Sequence, residues 1–384
     1  MGFEFACSDR IIFGNGALSG AKDFVKDFGE KAYVIAGGGS VPIDPLMNAL
    51  EQANVRGEVF RVEQEPNVET IEAGLNKAKS FSSDFVIGFG GGSVLDSAKA
   101  IAALLTNPGE LSDYLEVIGG GKKIPNPSAP MIAIPTTAGT GTEVTRNAVI
   151  SSPEHNVKVS MRSPKMIPTV ALIDPELTYS MPPSVTASTG MDALTQVIEA
   201  YVSKKANPMT DIIAADGIKR GASSLLRAYK DGQDPDARED MALTSLFGGL
   251  ALANGGLGAV HGFAGPIGGM FNAPHGVICA SLLPHVMLHN ARIIQEMPDN
   301  ESLIARFQQV AAWVTGDSNA SIDEGVNWLN ELASALQVPR LSEMGIRQDD
   351  FDRIIEKSKA ASSMQKNPVP LEDETLRKIL SEAY

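Results

Sequence analysis

Residues 84–105, DFVIGFGGGSVLDSAKAIAALL, decide the fold of this chain. The stretch opens with an apolar run typical of a buried strand and closes with the apolar pattern of a helix. Between them stands the glycine run GGGS at 90–93. Ser93 and Asp96 match the S-x-x-D capping box, which predicts that the helix begins there. A strand that leads through a tight turn into a helix is the building unit of a parallel sheet.

The same alternation of strands and helices continues on both sides of this stretch. Further apolar runs that predict strands lie at 31–36, 57–62, 131–135 and 170–174. Such repeats imply a parallel sheet with right-handed crossovers. After MPP at 181–183 the pattern is helical almost throughout. We therefore predict an α/β, Rossmann-like nucleotide-binding domain over 1–181 and an all-α domain over 182–384, with a ligand cleft between them.

Length and composition narrow the class of protein. A chain of 384 residues is too long for one ordinary domain, and 43% hydrophobic with 20% charged residues is typical of a soluble globular protein. The net charge of −14 argues against nucleic-acid binding, which needs clustered Lys and Arg. No secretory signal is apparent, and no apolar stretch approaches the roughly 20 residues of a membrane span. Since Cys7 and Cys279 are expected to be free thiols, we predict a cytoplasmic protein without membrane partners.

Two copies of GGGS follow predicted strands. The glycines of Gly90–Ser93 would let a phosphate approach the N–H groups of a helix N-terminus, although a tight turn without a ligand uses the same residues. The first copy, Gly37–Ser40, lacks the acid that binds ribose hydroxyls and repels the 2′-phosphate of NADP. It is either a loose turn or a site that tolerates NADP, with Ser40 as a phosphate donor. Together with PTTAGTGTE at 135–143, these runs favour a nucleotide site at the carboxyl ends of the strands.

A carboxylate and a few histidines point to a metal site. Asp192 and Gln196 lie four residues apart in GMDALTQVIEAY and share one helical face, but a histidine would be needed to complete a metal-binding pair. His261 and His275, in HGFAGPIGGMFNAPHG, could join Asp192 in a set that suits Fe(II) or Zn(II). A structural role for both histidines is the alternative. The other histidines, for which surface or core roles are expected, are His155, His285 and His289.

Taken in order, several stretches resemble the iron-containing (group III) alcohol dehydrogenase family. They are FGGGSVLDSAKAIA at 89–102, IPTTAGTGTEVTRNAVI at 134–150, VALIDPELTYSMPP at 170–183, GMDALTQVIEAY at 190–201, HGFAGPIGGMFNAPHG at 261–276 and the C-terminal SSMQKNPVPLEDETLRKILSEAY. The resemblance spans almost the whole chain. It implies the dehydroquinate synthase-like fold and an NAD(P)-dependent alcohol dehydrogenase or aldehyde reductase acting on a small alcohol or aldehyde. It also implies a homodimer or larger homo-oligomer.

The resemblance further implies which residues bind the cofactor. They would be Asn67, Gly91, Gly92, Ser93, Asp96, Thr136, Thr137, Thr140, Asn147 and Lys158. Gly37 stands where NAD-preferring members carry Asp, and the run that contains Gly37, Gly38 and Ser40 is similar to that of NADPH-using members. NADP(H) is therefore favoured over NAD(H).

In this family one aspartate and three histidines hold a metal. Asp192, His261 and His275 match three of these positions and would be both metal ligands and catalytic residues, with Fe²⁺ or Zn²⁺ as the metal. Gln196 stands at the fourth position, where its amide oxygen could be a weak ligand, and Gly265 replaces a histidine with a proton-relay role.

These departures leave several interpretations open. The first is a three-ligand metal site similar to that of zinc-dependent glycerol dehydrogenases. The second is a metal-free reductase similar to maleylacetate reductases, and the third is a nucleotide-binding protein without catalysis. A lyase resembling dehydroquinate synthase is a further class.

Overall fold

The structure is a computed structural model that describes residues 2–39, 41–63, 65–155, 157–271 and 273–384. Backbone contacts divide it into two compact units. The α/β unit comprises Ala6–Thr137 and Gly141–Met181, and the helical unit comprises Met1–Phe5, Ala138–Thr140 and Pro182–Tyr384. The predicted fold class, an α/β region with a parallel sheet followed by a helical region, is confirmed.

The described part of the α/β unit contains a six-stranded parallel sheet and a separate antiparallel pair of strands. The strands are β1 Arg10–Phe13, β2 Lys31–Gly37, β3 Arg56–Val62, β4 Phe85–Gly90, β5 Met131–Pro135, β6 Asn147–Ser152, β7 Val157–Arg162 and β8 Val170–Ile173. The order in the large sheet is β1-β8-β5-β4-β2-β3, and β6 pairs with β7. β4 is buried along its whole length, as expected for a parallel strand covered on both faces.

The strand order reverses between β2 and β4. From β2 the chain first adds β3 on one side and then returns to add β4 on the other. In open parallel sheets the crevice at such a reversal, beyond the carboxyl ends of the strands, is the usual ligand site. Gly37 is the last residue of β2 and Gly90 the last of β4. The topology therefore places both glycine runs at this crevice.

Helices and short 3-10 turns connect the strands. The helices are α1 Asp44–Gln52, α2 Val68–Phe81, α3 Gly92–Thr106 and α4 Leu111–Tyr114. The 3-10 helices are Ala17–Asp23, Val25–Phe28, Thr142–Val144, Pro153–His155, Pro164–Met166 and Pro175–Thr178. Alternate residues of β2 enter two apolar layers, one shared with α2 and α3 and the other with α1.

The predicted capping box of Ser93 and Asp96 is wrong. α3 begins at Gly92, with Gly91 as its N-cap, so Ser93 already lies in the first turn. Asp96 faces the interior instead, where its carboxylate accepts a hydrogen bond of 2.6 Å from Thr142 Oγ1. Val94 N donates to Gly91 O, and because no side chain caps this helix, the N–H groups of Gly92 and Ser93 at its start are available to a ligand.

The helical unit is built around one buried helix. Its helices are α5 Pro183–Val202, α6 Pro208–Lys230, α7 Pro235–Gly255, α8 Ala259–Phe271, α9 His275–Glu296, α10 Glu301–Thr315, α11 Ile322–Ala335, α12 Phe351–Lys359 and α13 Asp373–Ala383. The 3-10 helices are Leu341–Met344, Gln348–Asp350 and Met364–Lys366. α5 is almost fully buried from Gly190 onward and packs against α6, α7 and α9. This packing places Asp192, with 2% of its surface exposed, in the interior of the unit.

One described helix, α9, is long and apolar enough to cross a membrane, while α7 and α8 pass the same test only as a pair bent by 100°. The expectation that no stretch approaches this length and hydropathy is therefore wrong for α9. Yet 72% of the apolar window of α9 is buried inside the protein. That burial is typical of a core helix rather than a membrane span.

Candidate metal centre and nucleotide loops

Side chains of three helices direct ligand atoms to one point in the helical unit. Asp192 is on α5, His261 on α8, and His275 and Cys279 on α9. A carboxylate oxygen, two ring nitrogens and a sulfur lie within 4.8 Å of one another. Among the described residues this is the only group of His, Cys, Asp and Glu side chains with the spacing of a metal site. We call it the donor cluster.

Three separations inside the donor cluster are close to the edges of a coordination tetrahedron. Asp192 Oδ1 is 3.2 Å from His261 Nε2 and 3.7 Å from His275 Nε2. Cys279 Sγ is 3.8 Å from His261 Nε2. Metal–ligand bonds of about 2.0–2.3 Å place tetrahedral ligand atoms about 3.3–3.7 Å apart. The side chains are thus already close to positions around one ion.

A glycine at the start of α9 allows this convergence. A Cβ added at Gly276 would lie 2.1 Å from Ser188 O and 3.3 Å from Asp192 Cβ, both of α5. Only a residue without a side chain permits so close an approach of α9 to α5. Since His275 and Cys279 are four residues apart on α9, they share the face that meets Asp192.

Glu199, which sequence reasoning missed, holds one ligand in place. Its carboxylate accepts hydrogen bonds of 2.6 Å from His261 Nδ1 and 2.7 Å from Val260 N, and only 2% of its surface is exposed. A carboxylate at Nδ1 keeps the proton there and leaves the Nε2 lone pair facing the donor cluster. The available signal was the spacing of seven residues between Asp192 and Glu199, which puts both on one face of α5.

Electrostatically, the donor cluster favours a cation. Burial opposes the charged form of both imidazoles, but the charges and hydrogen bonds of Cys279 and Asp192 outweigh it and raise the pKa of His261 and of His275. For Asp192, burial is likewise opposed by His275 and His261, which lower the pKa of the carboxyl. A site that raises the proton affinity of its imidazoles attracts a divalent ion for the same electrostatic reason.

Gln196 has other neighbours. Its Nε2 donates to Thr140 O at 3.3 Å, and its Oε1 lies against Gly248 of α7, where an added Cβ would be 2.7 Å away. Within the described chain, Oε1 has no hydrogen-bond partner. The residue expected at the fourth ligand position is therefore anchored at its nitrogen end by the backbone of a loop.

Gly265 lies one turn after His261 on α8 and is exposed. A Cβ built at this position meets nothing within 4 Å. The position has room for a side chain and carries none, so it contributes no group that could transfer a proton.

The residues present fit a divalent metal ion. Lone pairs of oxygen, nitrogen and sulfur converge on one point, and a buried carboxylate orients one of the imidazoles, as in protein metal sites. Asp192 and Cys279 are almost fully buried, whereas 42% of the His275 side chain is exposed. The exposed side of His275 is thus the part of the donor cluster that is open to solvent.

In the α/β unit, the two glycine runs lie next to one another. A Cβ added at Gly37 would be 3.3 Å from Val94 Cγ2, and one added at Gly90 would be 2.6 Å from the same atom. Gly91 faces Thr137 in the same way, at 3.3 Å. This close packing needs glycine at these positions, and the uncapped N-terminus of α3 beside them is a backbone arrangement that can bind a phosphate.

The end of β2 has a positive charge that sequence reasoning missed. Arg61 of β3 donates from Nη1 to Gly37 O at 2.7 Å. The parallel register explains this, because Arg61 pairs with Ala36, the residue before Gly37. The exposed side chain of Glu63 passes beside Gly38. Ser40, the expected phosphate donor, lies outside the described residues.

Two other predicted cofactor residues have structural contacts. Asn67 caps α2, and its Oδ1 accepts a hydrogen bond of 2.8 Å from Thr70 N. Lys158 of β7 forms an ion pair of 2.7 Å with Glu65. Asn67 Oδ1 and Lys158 Nζ therefore have partners within the α/β unit, and their binding to the cofactor stays a prediction.

Residues 135–143, PTTAGTGTE, which we call the threonine loop, are divided between the two units. Thr136 N donates to Gly90 O at 3.0 Å, which fixes this end of the loop beside the second glycine run. Thr140 belongs to the helical unit, where its carbonyl accepts the hydrogen bond from Gln196.

Asp96 and Asn147 belong to a buried network around Lys99, whose surface is 0% exposed. Lys99 Nζ lies 3.2 Å from Asp96 Oδ1 and donates to Thr142 Oγ1 at 2.6 Å. It also donates to Thr145 Oγ1 at 2.9 Å and to Asn147 O. We call this set the lysine network. It ties α3 to the segment that follows the threonine loop.

The histidines outside the donor cluster have local partners. His155 Nδ1 lies 2.9 Å from Ser152 Oγ. His285 and His289 of α9 contact Glu382 of α13 at 3.5 Å and 3.0 Å. These contacts place them in ordinary structural pairs.

Comparison with known proteins covers nearly the whole chain. The model described as iron-containing alcohol dehydrogenase matches residues 8–175, and the model described as Fe-containing alcohol dehydrogenase family, C-terminal, matches 186–384. Alcohol dehydrogenase 4 of Saccharomyces cerevisiae is 37% identical over 380 residues, which cover 97% of this chain and 96% of that protein. The NADPH-dependent butanol dehydrogenase of Clostridium saccharobutylicum is 33% identical, with 99% and 98% covered. The solved structure of alcohol dehydrogenase from Oenococcus oeni matches with a TM-score of 0.91, 30% identity and 100% of both chains covered.

Proposed function

This chain belongs to the iron-containing alcohol dehydrogenase family, and we propose that it transfers a hydride between NAD(P) and a small alcohol or aldehyde. The donor cluster is the observation that carries the proposal, because a metal ion held there would stabilise the charge on the oxygen while a hydride moves to or from the carbon that bears it. The uncapped N-terminus of α3, at the reversal of the strand order, supports a dinucleotide as the second reactant.

Asp192, His261 and His275 would hold a divalent ion, Fe²⁺ or Zn²⁺, in the donor cluster. When bound, the ion would act as a Lewis acid toward the substrate oxygen, and the nicotinamide would supply or accept the hydride. Glu199 retains the proton at His261 Nδ1 and fixes the orientation of the ring, so that Nε2 faces the donor cluster. The exposed side of His275 leaves room for the substrate. Because Gly265 has no proton-transfer group, we expect the hydroxyl proton to leave through water.

On the cofactor side, we propose that the first turn of α3 binds the pyrophosphate through its backbone N–H groups. At the end of β2 none of the described residues Gly37, Gly38 and Gly39 carries a carboxylate, and Arg61 provides a guanidinium, while the exposed side chain of Glu63 from the end of β3 passes beside Gly38. An arginine at this position accommodates the 2′-phosphate that distinguishes NADP from NAD. These features support a preference for NADP(H) over NAD(H).

Arg61→Ala tests this preference. We expect the ratio of kcat/KM for NADPH to that for NADH to fall at least about tenfold, since a hydrogen bond between charged groups is lost. Arg56→Ala, at the opposite end of β3, is the matched control and should leave the ratio unchanged. A wild-type protein that is more efficient with NADH would contradict the proposal.

The activity itself is tested with a panel of alcohols and aldehydes, following the absorbance of the reduced nicotinamide. We expect turnover that a chelator removes and that Zn²⁺ or Fe²⁺ restores. Full turnover by metal-free protein would support the metal-free reductase instead. Tight NADP binding without turnover on any substrate of the panel would contradict the enzyme and leave a nucleotide-binding protein.

Location and assembly are part of the proposal as well. Cys7 is an exposed free thiol and Cys279 a buried one, which supports a reducing compartment such as the cytoplasm. We propose a homodimer or larger homo-oligomer, to be tested by sedimentation equilibrium, and a monomer at micromolar concentration would contradict it.

A further inference from the structure

We propose that Cys279 is a metal ligand of this chain, and that its thiolate takes the coordination position that Gln196 does not fill. The inference rests on the proposed metal-dependent function, because it concerns the same donor cluster. With Cys279 included, the ligand set contains a sulfur atom in addition to the oxygen of Asp192 and the nitrogens of His261 and His275.

The position of the sulfur carries the argument. Cys279 Sγ lies 3.8 Å from His261 Nε2, within 4.8 Å of the ligand atoms of Asp192 and His275. A buried cysteine is usually a small apolar residue among other apolar side chains. Here the sulfur instead faces polar atoms whose lone pairs already converge on a single point. The side chain is 0% exposed, so this contact is enforced by the packing of α9.

Helix geometry supplies a second, independent argument. Ligand pairs on a helix lie four residues apart, because that spacing places both side chains on one face. On α5 the residue four positions after Asp192 is Gln196, whose amide nitrogen is bonded to Thr140 O. On α9 the residue four positions after His275 is Cys279. The helical ligand pair of this chain is therefore on α9.

The charge of the ligand set follows from this assignment. Neutral imidazoles of His261 and His275, with the carboxylate of Asp192 and a thiolate, carry two negative charges that match a divalent ion. Binding then releases the protons that the thiol and the imidazoles hold on their ligating atoms, since thiolate and neutral imidazole are the ligating forms. Thiolate ligands favour Zn²⁺, which also binds more tightly than Fe²⁺ in the general order of divalent metals. We infer that the chain binds zinc in preference to iron.

Cobalt substitution tests the proposal without reference to activity. Metal-free protein is titrated with Co²⁺, and we expect a thiolate-to-cobalt charge-transfer band in the near ultraviolet at one equivalent. The band should be absent from Cys279→Ala and Cys279→Ser, which keep the volume of the site nearly unchanged. Cys7→Ala is the matched control, because Cys7 is exposed and belongs to the α/β unit, and it should keep the band. Zinc affinity, measured by competition with a chelator, should fall at least about 100-fold in Cys279→Ala but not in Cys7→Ala.

A second measurement uses only the wild-type protein and does not depend on how the variants fold. One equivalent of Zn²⁺ should protect Cys279, but not Cys7, from alkylation in a peptide map. Cobalt that binds without a charge-transfer band, or a band that survives in both Cys279 variants, overturns the assignment. Either result would leave the dehydrogenase proposal intact, because that proposal is tested separately, by turnover and by its dependence on added metal.

Discussion

Two buried polar clusters, one in each unit, differ in how their hydrogen-bonding groups are satisfied. In the lysine network the ammonium of Lys99 contacts Asp96, Thr142, Thr145 and the carbonyl of Asn147. Donors and acceptors are paired, so the network is complete as it stands. In the donor cluster, by contrast, the ligand atoms of Asp192, two imidazoles and a thiol lie within 4.8 Å of one another and share hydrogen bonds such as that of 3.2 Å between His261 Nε2 and Asp192 Oδ1.

This difference separates a structural cluster from a binding site. A buried polar network that is fully satisfied by fixed partners rigidifies the fold, whereas potential ligand atoms that converge on one point can exchange the protons between them for a divalent cation. We therefore expect changes in the lysine network to alter stability and leave metal binding unchanged. Changes in the donor cluster should alter metal binding and activity with less effect on the fold.

The largest expected effect is that of Asp192→Asn. Removing the carboxylate charge takes away the group that contacts both histidines. We expect kcat/KM to fall about 10⁴-fold, equivalent to about 5.5 kcal/mol, together with loss of bound metal. Steady-state kinetics and metal content by mass spectrometry measure the two effects. A variant that retained full metal and full activity would remove the distinction between the clusters.

Next in size is Lys99→Met, which breaks the other cluster. It leaves the buried carboxylate of Asp96 without its cation, and we expect a loss of about 3–5 kcal/mol in the free energy of unfolding. Urea denaturation of the whole chain measures this, and zinc affinity should not change. Lys122→Met is the matched control, because the ion pair of Lys122 with Asp113 is exposed and should matter much less. Equal destabilisation by both variants would contradict the role of the network.

Glu143, which follows Thr142, gives the lysine network a pH dependence. Burial raises the pKa of Glu143 from 4.5 to about 7, although Lys99 acts in the opposite direction. Between these values the folded chain holds a proton that the unfolded chain has released, so the stability falls as the pH rises. Wild type should lose up to about 3 kcal/mol between pH 5 and pH 8, and Glu143→Gln should lose little of it. Parallel stability curves for the two proteins would show that Glu143 is ionised in the folded chain.

The smallest of these effects is expected from Glu199→Gln. The variant keeps the shape of the side chain but weakens the hydrogen bond to His261 Nδ1. We expect metal affinity to fall about 10- to 100-fold, or about 1.4–2.7 kcal/mol. Glu382→Gln is the control, since Glu382 also contacts a histidine, His289, outside the donor cluster. If both variants bound zinc as wild type does, Glu199 would have only a packing role.

The sequence predicts the fold well because its signals are local. Continuous apolar runs become the buried strands β2, β4 and β5, and the change of pattern near Met181 coincides with the passage to helices. The prediction of a capping box is wrong because Ser93 and Asp96 have the right residue types and spacing but make other contacts. The carboxylate of Asp96 instead accepts a hydrogen bond from Thr142, which is distant in sequence, and pairs with Lys99, which lies three residues after it.

The donor cluster is only partly visible in the sequence. Asp192, His261 and His275 can be selected by residue type, and the structure brings them together. For Cys279 the sequence analysis predicts only a free thiol, although this residue lies four positions after His275. Glu199 acts through its contact with His261, and Arg61 acts through its contact with Gly37. In both pairs the two residues belong to different elements of the chain. Such contacts depend on helix packing and strand register, which local patterns do not specify.

X-ray absorption at the zinc edge, on the zinc-loaded chain, tests the central claim most directly. The account predicts one sulfur neighbour at about 2.3 Å beside nitrogen and oxygen neighbours at about 2.0–2.1 Å, with the sulfur lost in Cys279→Ser. A zinc ion surrounded only by nitrogen and oxygen in the wild-type protein would contradict it.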